Sequence, residues 1–227
     1  MSKTAAVVLC GCGRADGSEI HESVSVLAHL ARLGVKYRCF APDAPQAEVV
    51  NHATGSVEAG ATRNCMVEAA RISRGEISPL SRLEAKDFDA VLFPGGFGAA
   101  KNLCTFARDG AGARVIPDVE RVIRAFHAAG KPIGLCCIAP VLAAKVLGTA
   151  AGGPGCEVTI GDAAGVADAI ASWGSRNVVK GVEHAHVDGA RKVVTTPAYM
   201  DDHATPWQVF TGIGKMVEET IRLAGTR

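Results

Sequence analysis

Short uninterrupted apolar runs alternate along this chain with stretches in which apolar residues recur every three or four positions. Ala5–Cys10 (AAVVLC) reads as a first buried strand. Residues 18–34, SEIHESVSVLAHLARLG, read as a helix with Ile20, Val24, Leu27 and Leu30 on one stripe, and VKYRCFAP reads as the next strand. After an irregular stretch, MVEAARISRG predicts a helix and FDAVLFPGGFGAAKN a strand breaking into a glycine turn. PDVERVIRAFHAAG is a helix with a proline start and a glycine stop, KPIGLCC a buried strand, and IAPVLAAKVLG the helix that follows. EVTIG predicts a further strand and DAAGVADAIASWG a helix. A hairpin around Val187-Asp188-Gly189 leads into KVVTTPAYM, and a closing helix spans about residues 206–224. Repeated strand–helix alternation predicts an α/β domain with a mostly parallel sheet covered by helices on both faces, a single unit over residues 1–227.

Composition narrows the function classes. The 227 residues are 48% hydrophobic and 21% charged, enough for a substantial core. A net charge of +1 leaves no basic field to hold nucleic acid or an anionic membrane, so small weakly polar partners fit better. The first residues carry no signal-peptide pattern and no run of about 18 apolar residues follows, which makes a cytoplasmic enzyme the expectation. Eight cysteines in a chain of this length are not a secreted disulfide framework. Cys10 and Cys39 lie in strand-like runs and read as buried small hydrophobes. Neither Cys10-Gly11-Cys12 nor Cys136-Cys137 has the CxxC spacing of a zinc site, so no metal is expected.

Three of the expected strands end in unusual sequences: CGCGRADGSEIHE, FPGGFGAAKN and GLCCIAP. In a parallel sheet those ends share one edge, where sites form. In the third, Cys137 suits the apex of a nucleophile elbow, with Ala139 at the crowded position and Pro140 in the first helical turn; Cys136 is expected to point the other way into packing. The helix N-terminus beside Cys137 is expected to lower its pKa. In the second, bare glycine backbone suggests an oxyanion hole formed by the N–H groups of Gly96 and Ile138. Lys101-Asn102 reads equally as an electropositive wall or a solvated helix start. In the first, Gly11, Gly13 and Gly17 are spaced GxGxxxG and acidic residues crowd the helix start, so a dinucleotide loop with Asp43 as ribose carboxylate ranks low. Glu22, between the Ile20 and Val24 positions on the helix, reads as a placed carboxylate. His184 and His186 alternate before the hairpin and are possible auxiliaries, as is Cys12; His21 and His203 are possible rim residues.

With these residues in view, the chain resembles the PfpI-like branch of the class I glutamine amidotransferase-like superfamily, which also contains the parkinsonism-associated protein deglycase. Cys137-Ile138-Ala139-Pro140 matches the elbow, Pro94-Gly95-Gly96 the oxyanion strand and Glu22 the helix-borne glutamate. The blocks GCGRADGSEIHE, NHATG, TRNCMVEAARISRGEI, PGGFGAAKNL, CIAP and VTTPAYM make it most similar to the glyoxalase ElbB group. The resemblance implies a flavodoxin-like three-layer sandwich, a homodimer, an association with isoprenoid biosynthesis, and conversion of glyoxal-type aldehydes to hydroxy acids without glutathione, metal or other cofactor. One departure stands out. Hydrolytic PfpI-like members place a histidine directly after the cysteine, and here that residue is Ile138. Two other function classes stay open at this point: an amidase or glutaminase using His184 or His186, and a non-enzymatic redox sensor or chaperone in which Cys137 is oxidised and Cys136 or Cys12 resolves it.

Overall fold

A computed structural model describes residues 3–225. Its strands are β1 (Thr4–Val8), β2 (Lys36–Ala41), β3 (Val50–Asn51), β4 (Ser56–Val57), β5 (Ile77–Pro79), β6 (Ala90–Phe93), β7 (Ile133–Cys136), β8 (Glu157–Val158), β9 (Arg176–Asn177), β10 (His186–Asp188) and β11 (Val193–Thr196). Seven of them form one sheet in the order β10-β11-β7-β6-β1-β2-β5, parallel except for the antiparallel β10–β11 edge pair. The helices are α1 (Ile20–Arg32), α2 (Cys65–Ala69), α3 (Phe97–Lys101), α4 (Phe106–Asp109), α5 (Pro117–Ala128), α6 (Pro140–Leu147), α7 (Ala164–Ser172) and α8 (Pro206–Leu223). This is the expected flavodoxin-like three-layer arrangement. The central strands TAAVV, AVLF and IGLC are short, apolar and almost wholly buried, as strands covered on both faces must be.

One core lies on each side of the sheet. Phe93, Leu103, Ile123, Phe126 and Leu142 belong to one, and Val26, Leu30, Leu92, Ile213, Met216 and Val217 to the other. Gly134, inside β7, lets α8 come close: a Cβ there would stand 2.8 Å from both Met216 Sδ and Thr220 Oγ1.

Four expectations change. EVTIG yields only β8, which pairs with β9 in a separate two-stranded ribbon outside the main sheet. The helix expected over MVEAARISRG stops at Ala69, short of the turn in which Arg74 takes a positive φ of 57°. Within the irregular segment after β2, residues 50–57 form the small β3–β4 ribbon. The stripe on α1 is also misassigned: Ile20 and Val24 are 44% and 50% exposed, whereas Glu22, Ser23, Ser25, Val26, His29 and Leu30 are buried. The inner face of α1 is therefore largely polar, and it is tolerable because its groups have partners. Ser23 and Ser25 donate back to Glu19 and His21 carbonyls, and His29 Nε2 lies 3.0 Å from the Phe210 carbonyl on α8.

Candidate active site

The C-terminal ends of β1, β6, β7 and β11 meet at one edge of the sheet, and the residues that follow them converge on Cys137. β7 ends at Cys136, and Cys137 then takes φ +57°, the left-handed region that L-residues avoid. Its N–H donates to the Thr196 carbonyl of β11 at 3.0 Å, while Ala139 N–H turns back to the Cys136 carbonyl, also at 3.0 Å. Pro140 then opens α6 at a position where a missing N–H costs nothing. Together these bonds hold the thiol at the strand-to-helix apex.

The glycines after β6 let two chains approach that apex. A Cβ on Gly95 would lie 2.4 Å from Cys137 Cβ and 2.6 Å from Glu22 Oε2, so only glycine fits. Gly96, with φ +90°, packs against the backbone of Gly17 and Glu19. The N–H groups of Gly96 and Ile138 face the Cys137 sulfur, where they favour its charged form, and among the described residues neither has a backbone acceptor.

Glu22 enters from α1, fully buried. Its Oε2 accepts from Gly95 N–H at 3.0 Å and its Oε1 from Tyr199 N–H at 3.3 Å, and Cys137 flanks the same Gly95 on which this carboxyl rests. Glu19 caps the helix, accepting Glu22 N–H at 2.7 Å. Burial, reinforced by the Glu19 carboxylate, pushes Glu22 up to about 7.

Cys137 departs from the sequence expectation. Burial, then the negative charge of Glu22, hold its thiol well above the ordinary range rather than below it. The helix end that was to lower it has few free donors. Val141 and Leu142 N–H bond back to Ile138 and Ala139, Pro140 has none, and only Ile138 N–H reaches the sulfur from that side. The resting pair is thus one in which thiol and carboxyl, both buried, compete for charge.

Cys136 is likewise not simply packed away. Its sulfur lies 3.7 Å from Glu22 Oε2, so both neighbouring thiols address the same carboxyl.

The remaining expected residues fall elsewhere. His184 is exposed, its carbonyl taken by Thr196 Oγ1, and His186 lies on the edge strand with Nε2 3.1 Å from Glu157; neither lines the cavity over Cys137. The spacing of the two histidines was suggestive, but β11 intervenes between β10 and β7. Cys12 is half-buried beside the charges of Arg71 and Glu68, also outside that cavity. His21 does reach the rim through Tyr199, whose hydroxyl is 2.8 Å from Nδ1, whereas His203 is exposed beside a different depression. Cys10 and Cys39 are buried.

Lys101 and Asn102 are neither wall nor solvated helix start. Lys101 pairs with Glu48 and donates to the Ala15 carbonyl, and Asn102 bonds Ala47 N–H and the Asp16 carbonyl. The glycine loop after β1 closes on itself through Gly13 N–H to Ser18 and Gly17 N–H to Gly13. Asp43 accepts from Asn64, the cap of α2. These contacts leave that loop serving the placement of Glu19 and Glu22.

Sequence reasoning missed Tyr199. The signal was the VTTPAYM block: after Pro197, Ala198 adopts φ +47° and turns the next N–H onto Glu22.

Comparison with known proteins bears on this arrangement. The chain is 51% identical to the human (Homo sapiens) glutamine amidotransferase-like class 1 domain-containing protein 3, mitochondrial, over 97% of this chain and 83% of that protein. It belongs to the glutamine amidotransferase-like class 1 family that includes ES1. A second member, the Rattus norvegicus ES1 protein homolog, mitochondrial, is 49% identical over 97% of this chain and 84% of that protein. No family model matches the sequence. Among solved structures, an isoprenoid biosynthesis protein with amidotransferase-like domain from Ehrlichia chaffeensis is 33% identical, with a TM-score of 0.89 over 98% of this chain and 99% of that one. Drosophila melanogaster DJ-1beta, 18% identical, shares the fold with a TM-score of 0.53 over 99% and 96% of the two chains. These two relatives and the Danio rerio ES1 protein, 39% identical over 96% of this chain and 85% of that protein, are mitochondrial proteins by name, which overturns the cytoplasmic expectation.

Proposed function

We propose that this protein is a glutathione-independent glyoxalase, with Cys137 as nucleophile and Glu22 as proton carrier. The observation that carries the reading is the convergence on one sulfur of a buried carboxyl with a raised pKa and two N–H groups that no backbone carbonyl takes up, at the end of a cavity lined by no histidine.

The chemistry follows from that geometry. A buried thiol with a raised pKa need not be a thiolate at rest. Ionised Glu22 takes the thiol proton as sulfur attacks an aldehyde carbon of glyoxal, and the Gly96 and Ile138 N–H groups meet the oxygen that gains charge. Protonation of that oxygen gives a hemithioacetal. Glu22 then removes the carbinol C–H proton, forming an enediol, and returns a proton to the neighbouring carbon, leaving a thioester of glycolate. Water hydrolyses the thioester and restores the thiol. The net change is glyoxal plus water to glycolic acid, an internal redox reaction with no external oxidant or reductant.

An amidase of the histidine-assisted kind would need His184 or His186 beside Cys137; His186 pairs with Glu157 on the edge strand of the sheet, His184 is exposed just before that strand, and neither lines the cavity over Cys137. The test is to follow glyoxal in D2O by NMR. Glycolate carrying one deuterium on its methylene supports transfer through Glu22. Glycolate with no deuterium points to hydride shift, and no glycolate from the wild type ends the proposal.

A further inference from the structure

Isomerisation at Cys137 moves protons on oxygen as well as on carbon. As Glu22 takes the carbinol C–H proton, the far carbonyl oxygen must gain one, and when the thioester forms the carbinol oxygen must lose one. Glu22 cannot serve these needs, since it is then holding the carbon proton. The Gly96 and Ile138 N–H groups can offer hydrogen bonds but give up no proton. Of the side chains lining the cavity, Tyr199 brings an O–H. The other polar ones are engaged or unsuited: Glu19 accepts Glu22 N–H at 2.7 Å, Arg14 is an exposed guanidinium that keeps its proton, and Asp202 is exposed to solvent. Tyr199 is held at the rim from three sides. Its N–H donates to Glu22 Oε1 at 3.3 Å, Ala198 before it is fixed at φ +47°, and its hydroxyl lies 2.8 Å from His21 Nδ1. Burial, then the charges of Glu19 and Glu22, hold the phenol proton above its ordinary range. The hydroxyl is therefore a neutral acid beside the reacting thiol, and exposed His21 backs it from outside the cavity.

We propose that Tyr199 is a further catalytic residue, its hydroxyl carrying a proton between the two substrate oxygens while Glu22 carries one between the two carbons, and that His21 is the residue positioning that hydroxyl. This rests on reading Cys137 and Glu22 as the glyoxalase pair. In the first half, Glu22 takes the C–H proton and the C–H electron pair becomes the C=C bond. The carbonyl π pair moves to the far oxygen, which takes the Tyr199 proton. The enediol then stands between a protonated Glu22 and a phenolate that accepts from His21 Nδ1–H. In the second half, the phenolate takes the carbinol oxygen's proton, and the O–H pair becomes the thioester C=O. The C=C pair takes the Glu22 proton at the neighbouring carbon. Both groups return to their starting states, with no external oxidant or reductant.

The test reads glyoxal turnover and aldehyde addition side by side. Propanal has no second carbonyl, so it adds to Cys137 as a reversible hemithioacetal and stops. Its protection of Cys137 from iodoacetamide, resolved from the other cysteines by peptide mapping, measures addition without isomerisation. Tyr199→Phe keeps the ring and the N–H on Glu22 and removes only the hydroxyl. It should lower kcat for glycolate formation by on the order of 10² or more, with KM and propanal protection within about twofold of the wild type. His21→Ala should lower kcat ~10-fold through loss of one hydrogen bond to a charged oxygen, and His21→Gln, whose amide N–H can donate to the same oxygen, should recover most of it. A Tyr199→Phe variant with wild-type kcat overturns the assignment and leaves Cys137 and Glu22 standing. Loss of propanal protection in that variant makes Tyr199 a structural residue and overturns it as well. His21→Gln no better than His21→Ala overturns the positioning role. Wild-type protein that propanal protects but that forms no glycolate ends the glyoxalase reading and the role of Tyr199 within it.

Discussion

At the scale of single residues, Glu22 concentrates the consequences. It is fully buried, it accepts two backbone N–H groups, and both neighbouring thiols address it. If it carries the proton, Glu22→Gln lowers conversion of glyoxal to glycolate by on the order of 10² to 10⁴ while the far-ultraviolet circular dichroism stays that of the wild type. A loss under tenfold in a glycolate assay would assign the proton transfer to another group. The same residue sets a pH dependence of stability. In the folded chain it holds its proton up to about 7, against an ordinary value of 4.5. Between those values the folded state binds more protons than the unfolded one, so stability is greatest at the acid end and falls as pH rises toward 7. At ~1.4 kcal/mol per unit the wild type loses on the order of 3 kcal/mol across that window, and Glu22→Gln does not. Urea denaturation at pH 5 and pH 8 measures both slopes, and parallel slopes would contradict the buried, protonated carboxyl.

At the scale of elements, the strand–elbow–helix unit from Ile133 to Leu147 stores strain at one residue. Cys137 at φ +57° is in a region where glycine has no penalty, so Cys137→Gly should be more stable than Cys137→Ala by ~1 kcal/mol. Thermal unfolding of the two variants, both without the thiol, isolates the backbone contribution; an alanine variant as stable as the glycine one would mean that the elbow relaxes. The facing glycine turn is tighter still. Gly95→Ala places a methyl 2.4 Å from Cys137 Cβ and 2.9 Å from the Cys136 carbonyl, so one chain must move. That substitution is expected to cost ~1–3 kcal/mol and to displace the Gly96 N–H from the sulfur, seen as an altered rate of Cys137 alkylation. The α1 element was legible only in outline. Its length follows from helical periodicity, but Ile20 and Val24 face water and Glu22 and His29 face inward. Hydrophobic pattern assumes that the inner face is apolar, and here hydrogen-bond partners on α8 and the β6 and β11 loops reverse that assumption.

At the scale of the whole molecule, the site depends on layers beyond it, because β7, which carries the elbow, also packs through Gly134 against α8. Gly134→Val drives a side chain into Met216 and Thr220, and should lower the melting temperature by several degrees through overpacking of ~1–3 kcal/mol. A melting temperature equal to the wild type's would show that α8 can shift without cost. The sequence by itself determined the alternating strands and helices, the parallel sheet, and which strand ends would share an edge. Each rests on local periodicity and on a connection rule that leaves few topologies, and the glycines and Pro140 mark the turns directly. It did not determine the state of the thiol, the company Cys136 keeps, or the separation of His184 and His186 from the cavity. Those depend on burial and on distances between segments remote in the chain. Desolvation outweighs a helix end only when the sulfur is enclosed, and Tyr199 meets Glu22 only because β11 lies beside β7 in the folded sheet.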